Sequence, residues 1–165
     1  MPAESKAQQT VSPQYIAGFL DGEGNISILQ CNRYIRQCSY QLHVGFTNRD
    51  LRPLQLIQAA YGGCLWQKRR YSSKHSQTYE LRIGKRVDVG RLLTNLLPYL
   101  ICKRDQAELG LAFLALGKVK VQMVGTRKIH PTKGGVYPIM KAVPGEQEKR
   151  AEIKSKLTVL NARGA

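Results

Sequence analysis

The chain has 165 residues, 42% of them hydrophobic, and carries 26 Lys and Arg against 11 Asp and Glu, a net charge of +15. That length suits one domain with a real core, and no run of about eighteen apolar residues exists, which excludes a membrane-spanning helix. The charge points to a polyanionic partner, nucleic acid before all others, because Lys and Arg gain free energy by releasing counterions from phosphates.

In chain order, residues 1–11 are polar and are expected to form a flexible N-terminus, with a single domain over 12–165. The opening MPAESKAQQT lacks the apolar stretch of a secretory signal, so an intracellular setting is expected, in cytoplasm, nucleoid or organelle. Ser12-Pro13 reads as a helix N-cap followed by Pro at the first helical position. The helix over 14–21 should stop at Gly22-Glu23-Gly24, where glycines permit a tight turn. From Asn25 the period becomes two, and a hairpin follows with its turn near residues 32–36. Ile26, Ile28, Tyr40, Leu42, Val44 and Phe46 form its packed side. Residues 51–61 read as a helix ended by Gly62-Gly63. A second hairpin runs over 64–71 and 77–83, and a helix through Val89–Leu96 breaks at Pro98. Residues 105–116 are apolar almost all round, which predicts a buried helix. Residues 118–143 are irregular and basic, with a short strand near 119–124. Residues 146–160 close the chain as an amphipathic helix, early glutamates and later lysines matching its dipole.

The four cysteines, Cys31, Cys38, Cys64 and Cys102, show neither CxxC pairing nor finger spacing, so packed, reduced thiols are expected rather than zinc ligands. The order helix, hairpin, helix, hairpin, helices predicts an α+β fold, αββαββα. Its antiparallel sheet carries helices on one face and leaves the other polar, basic and able to lie along a DNA groove as a saddle.

Ile16-Ala-Gly-Phe-Leu-Asp-Gly-Glu-Gly24, followed by a strand at Asn25-Ile26, resembles the signature of the LAGLIDADG homing endonucleases. The resemblance extends over most of residues 13–117, and residues 157–161 resemble the family's last helix; 118–143 departs from it as a basic insertion. It implies a site-specific, metal-dependent endonuclease that makes a double-strand break in a long, pseudo-palindromic DNA target, encoded in an intron. One motif per chain implies a homodimer, since cutting both strands takes two catalytic centres. Ala17, Gly18 and Asp21 are the expected interface residues, the first two being small enough for close helix approach. Glu23 and the Gly22 carbonyl are the implied ligands of Mg²⁺ or another divalent cation such as Mn²⁺, a hard ion that takes oxygen donors. Lys103, Asn48 and Arg52 match the family's catalytic lysine, water-binding amide and arginine. The commoner residues at the Glu23 and Asn48 positions are Asp and Gln.

Strand alternation alone supplies the DNA-reading candidates. They are Asn25, Ser27, Leu29, Arg33, Gln41 and His43 on the first hairpin, and Trp66, Lys68, Arg70, Thr78, Glu80 and Arg82 on the second. Arg127, Lys128 and Lys133 in the basic segment are candidates for phosphate contacts. The competing reading is an RNA-binding intron maturase on the same scaffold, with intron RNA as partner and no need of the cleavage centre.

Overall fold

The computed structural model describes residues 11–33, 36–70, 76–118, 120–128 and 136–163. Helix α1 (Pro13–Glu23) starts where Ser12 accepts the Tyr15 N–H and Pro13 fills the first turn. It runs on through Gly22 and Glu23, beyond the expected stop. Gly24 follows in extended backbone (φ −100°, ψ 169°), so no left-handed turn is made there. Glycine is required for space instead, because a Cβ at 24 would lie 2.9 Å from the Leu20 Cα and O.

Strands β1 (Gly24–Arg33) and β2 (Arg36–Asn48) pair antiparallel, Gly24 opposite Phe46 and Leu29 opposite Gln41. Helix α2 (Leu51–Tyr61) is capped by the Asp50 side chain, and Gly62 and Gly63 end it at φ 73° and 105°, conformations that suit residues without a Cβ. The second hairpin is shorter than expected: β3 (Cys64–Gln67) and β4 (Tyr79–Ile83). One further bond, Lys68 N–H to the Thr78 carbonyl at 2.9 Å, extends their pairing. The sheet order is β1-β2-β4-β3.

Helix α3 (Arg86–Leu96) passes into a 3₁₀ turn, Leu97–Tyr99, that accommodates Pro98. Helix α4 (Arg104–Ala115) buries one face, through Ala107, Gly110 and Phe113. Asp105, Glu108 and Ala112 face solvent, so the expectation of a helix buried all round is corrected. Residues 118–143 hold two strands where one was expected, β5 (Val121–Lys128) and β6 (Val136–Ala142), paired as a separate antiparallel ribbon. Helix α5 (Glu146–Arg163) closes the fold.

Ile16, Ala17 and Leu20 of α1 meet Ile26, Leu42, Val44, Phe46, Leu81 and Ile83 of the sheet. Leu54 and Ile57 of α2, Leu92, Leu93 and Leu96 of α3 and Phe113 of α4 complete one contiguous core. Each such side chain contributes about 1.5–3 kcal/mol on burial. Val11, expected to belong to the flexible N-terminus, packs against this core; residues 1–10 lie outside the described residues. Arg150, only 2% exposed, donates to the Leu116 and Gly117 carbonyls at the end of α4, lies over the Phe113 ring and pairs with Glu146. It locks α5 to α4. Cys64 and Cys102 are exposed free thiols, not packed ones. Among the described residues no helix is long and apolar enough to cross a membrane.

Candidate nucleic-acid interface and catalytic centre

All the helices that pack on the sheet use the same face, and the strand register fixes what the other face shows. Its cross-strand rows are Leu29 with Gln41, Ser27 with His43, Asn25 with Gly45, Arg82 and Cys64, and Thr47 with Glu80 and Trp66. Thr78 and Lys68 continue the pattern by alternation. Trp66 is outward, with the Arg82 guanidinium 5.0 Å from its ring centre. Glu80 lies lower, holding Arg82 at 2.7 Å and Lys68 at 3.5 Å. Its carboxylate therefore orients two cations on this face. Gly45 and Gly84 clear room for polar side chains to lie flat: a Cβ at 45 would be 2.6 Å from Asn25 Oδ1, and one at 84 would be 2.6 Å from His43 Nδ1. Burial, and next the Arg82 charge, hold the His43 pKa below its ordinary value. Arg70 is exposed just after β3. The side chains of Arg33, Arg127 and Lys128 and the whole of Lys133 lie outside the described residues.

At one end of this face stands the C-terminus of α1. Gly22 and Glu23 are exposed, and among the described residues no side chain pairs with the Glu23 carboxylate. The preceding Asp21 is turned the other way. Its carboxylate accepts the backbone N–H groups of Ile101 (2.8 Å), Cys102 (3.2 Å) and Lys103 (2.9 Å), and its carbonyl accepts from Lys103 Nζ. Asp21 thus clamps the segment carrying Lys103 from within the same chain. Ala17 is fully buried and is absent from the exposed face of α1. Gly18 and Gly22 remain there, one turn apart, where an added Cβ would meet nothing within 4 Å.

Asn48 reaches the same end, since β1 begins opposite Phe46. Its Oδ1 accepts the Asp50 N–H at 2.8 Å, which fixes the side-chain amide and leaves its N–H₂ as a donor for another partner. Arg52 closes on Asp50 with several charge-assisted hydrogen bonds and holds that carboxyl down to about 2. Its side chain is 84% exposed and no contact ties it to Glu23. The end of the sheet therefore gathers Gly22, Glu23, Asn48 and Lys103, with Arg52 at the periphery. Sequence reasoning missed the clamp by Asp21. One signal existed: the turn before α4 offers no Ser, Thr, Asn or Asp cap, and Lys103 at that position makes none.

Among the described residues no three His, Cys, Asp or Glu side chains cluster to enclose a metal. The chemistry present is an exposed carboxylate and a main-chain oxygen. That set fits a hard divalent cation completed by waters and phosphate oxygens.

The model of the LAGLIDADG endonuclease family matches residues 16–102. The chain belongs to that family. The match runs from Ile16, the first residue of the motif within α1, to the residue before Lys103. Among solved structures, this LAGLIDADG chain is similar to the homing endonuclease I-CvuI in complex with a DNA target, at 22% identity over 90% of this chain and 80% of the other, TM-score 0.60. It is similar also to the homing endonuclease I-TnaI, at 16% identity over 95% and 100% of the two chains, TM-score 0.64. A third likeness is to an archaeal intron-encoded homing endonuclease complexed with DNA, at 15% identity over 90% and 82%, TM-score 0.64. At these identities the likeness is one of fold. A fold match over 90% of the chain leaves out fewer residues than 118–143 contains, so the likeness runs into that segment. No curated protein sequence matches significantly.

Proposed function

We propose that this LAGLIDADG protein is an intron-encoded, site-specific homing endonuclease that acts inside the cell as a homodimer and cuts both strands of a long, pseudo-palindromic DNA target. The observation that carries the reading is the position of Glu23. It is an exposed carboxylate without a partner among the described residues, at the end of a polar, open sheet face. The helix bearing it shows Gly18 and Gly22 to solvent, a strip where a second copy of α1 can approach closely. Two-fold pairing there would bring two Glu23 carboxylates together and align two sheets along one duplex. β1 spans ten residues, about 33 Å at 3.3 Å each, or roughly ten base pairs per half-site.

Glu23 and the Gly22 carbonyl would hold Mg²⁺ or another divalent cation, which supplies Lewis-acid polarisation of the scissile phosphate. Lys103, fixed by Asp21, places an ammonium where negative charge develops on the phosphate oxygens. The Asn48 N–H₂ is the donor left to orient water. Arg52, held on Asp50 at the surface, suits a backbone phosphate rather than the reacting atoms.

The test is cleavage of intron-less and intron-containing gene DNA with and without Mg²⁺. Wild-type protein should make a double-strand break only in the intron-less DNA and only with the metal. Glu23→Gln should bind the same DNA while cutting at least about a hundredfold more slowly. Equal cutting by both proteins removes the carboxylate from the mechanism. No cutting by either, with tight binding to intron RNA, makes the protein a maturase.

A further inference from the structure

His43 stands mid-sheet on the open face, opposite Ser27 on β1. On its other side β4 ends at Ile83, opposite Val44, which brings Gly84 alongside the imidazole. The ring lies over that glycine by its Nδ1–Cε1 edge: a Cβ at 84 would be 2.6 Å from Nδ1 and 2.8 Å from Cε1. Nδ1 is buried with no hydrogen-bond partner among the described residues. The side chain as a whole is only half-buried, so the accessible edge is the one bearing Nε2.

A neutral imidazole carries one N–H and one lone pair. Left buried and unpaired, an acceptor is tolerated better than a donor. The proton therefore belongs on Nε2, at the surface. A second proton would have to sit on Nδ1, against Gly84 and beside the Arg82 cation, which agrees with the lowered His43 pKa. The ring is thus a fixed donor aimed outward from the sheet. In the major groove such a donor meets acceptors on guanine (N7 and O6), adenine (N7) and thymine (O4), whereas cytosine presents an amino donor.

We infer that His43, seated on Gly84 as its Nε2–H tautomer, is a specificity-determining residue that donates to a base-edge acceptor and selects guanine over cytosine at one position of each half-site. The inference rests on the reading of the sheet face as a DNA-binding surface.

The experiment is site selection from a library of random 30-base-pair duplexes by the full-length protein, His43→Ala and Gly84→Ala. Wild type should accept guanine and exclude cytosine at a defined position of each half-site. His43→Ala should lose that preference and keep the others. Gly84→Ala, which fills the seat beneath an intact His43, should lose the same preference. In the selected site, 7-deazaguanine at that position should weaken wild-type binding roughly tenfold and leave His43→Ala unaffected. An unchanged site for His43→Ala overturns the assignment alone, as does indifference of the wild type to the deaza base. Failure of the wild type to select any duplex overturns the DNA reading itself, and this assignment with it.

Discussion

In the proposed reaction Asp21 would act without touching the substrate. Three consecutive amides, of Ile101, Cys102 and Lys103, end on its carboxylate, and Lys103 Nζ returns to its carbonyl. The end of α1 and the start of α4 are thereby one rigid unit, which fixes Lys103 relative to Glu23. Asp21→Ala should cost roughly 1–3 kcal/mol of stability and slow single-turnover cleavage about tenfold or more, with DNA affinity little changed. Asp21→Asn, which keeps one acceptor oxygen, should recover part of the rate. A folded Asp21→Ala protein that cuts at the wild-type rate would show that the clamp serves stability alone. Glu23 and Lys103 can be picked out as candidates from the sequence because each lies in a motif-like segment. The role of Asp21 is not, because its partners lie some eighty residues away, and no local pattern encodes that. Arg150 is hidden for the same reason: its value comes from two carbonyls at the end of another helix.

At the scale of elements, the exposed strip of α1 makes a prediction that separates folding from assembly. An added Cβ at Gly18 meets nothing within the chain, and glycine inside a helix costs about 1 kcal/mol relative to alanine. Gly18→Ala should therefore raise the thermal midpoint of the isolated chain. Gly18→Leu should also fold, yet it should fail to dimerise, because the side chain would occupy the space the partner helix needs. Light scattering on free and DNA-bound protein measures this; a wild type that stays monomeric in both states removes the dimer. Strand alternation and the Gly62-Gly63 pair are enough to set the sheet faces and the α2 boundaries. β6 is concealed because Pro138 lies within it, and proline usually argues against a strand unless its nitrogen faces away from the ladder. The one-sidedness of α4 is obscured by Leu109, Leu111 and Leu114, which lean onto the core only in part.

For the molecule as a whole, the +15 charge is a statement about salt. Arg127 and Lys128 sit on the β5–β6 ribbon, outside the four-stranded sheet, and Lys133 follows in sequence. Replacing all three with Ala should weaken binding to every duplex alike. The slope of log K against log salt should fall by up to about 0.9 for each phosphate the protein ceases to neutralise, with base preference unchanged. Titrations at several salt concentrations decide it: an unchanged slope means these charges do not meet phosphate, and an altered preference means they read bases. The basic character and the open sheet are both visible in composition and period. The ribbon's separation from the main sheet is not, since pairing partners are chosen by the fold and not by charge.

At the margin of the sheet, α5 bears on how the chain comes into being. It runs along β1, where Asn161 Nδ2 donates to the Ile26 carbonyl across 135 residues of sequence and Lys154 reaches Gln30. β1 is an outer strand of the four, and an uncovered outer strand invites pairing with another chain. During translation, at about 5–20 residues per second, β1 leaves the ribosome on the order of ten seconds before the helix that covers it. Throughout that interval a nascent sheet shows a bare flank to its neighbours on the same message. Helix α5, made well after β1, is the element that ends this exposure.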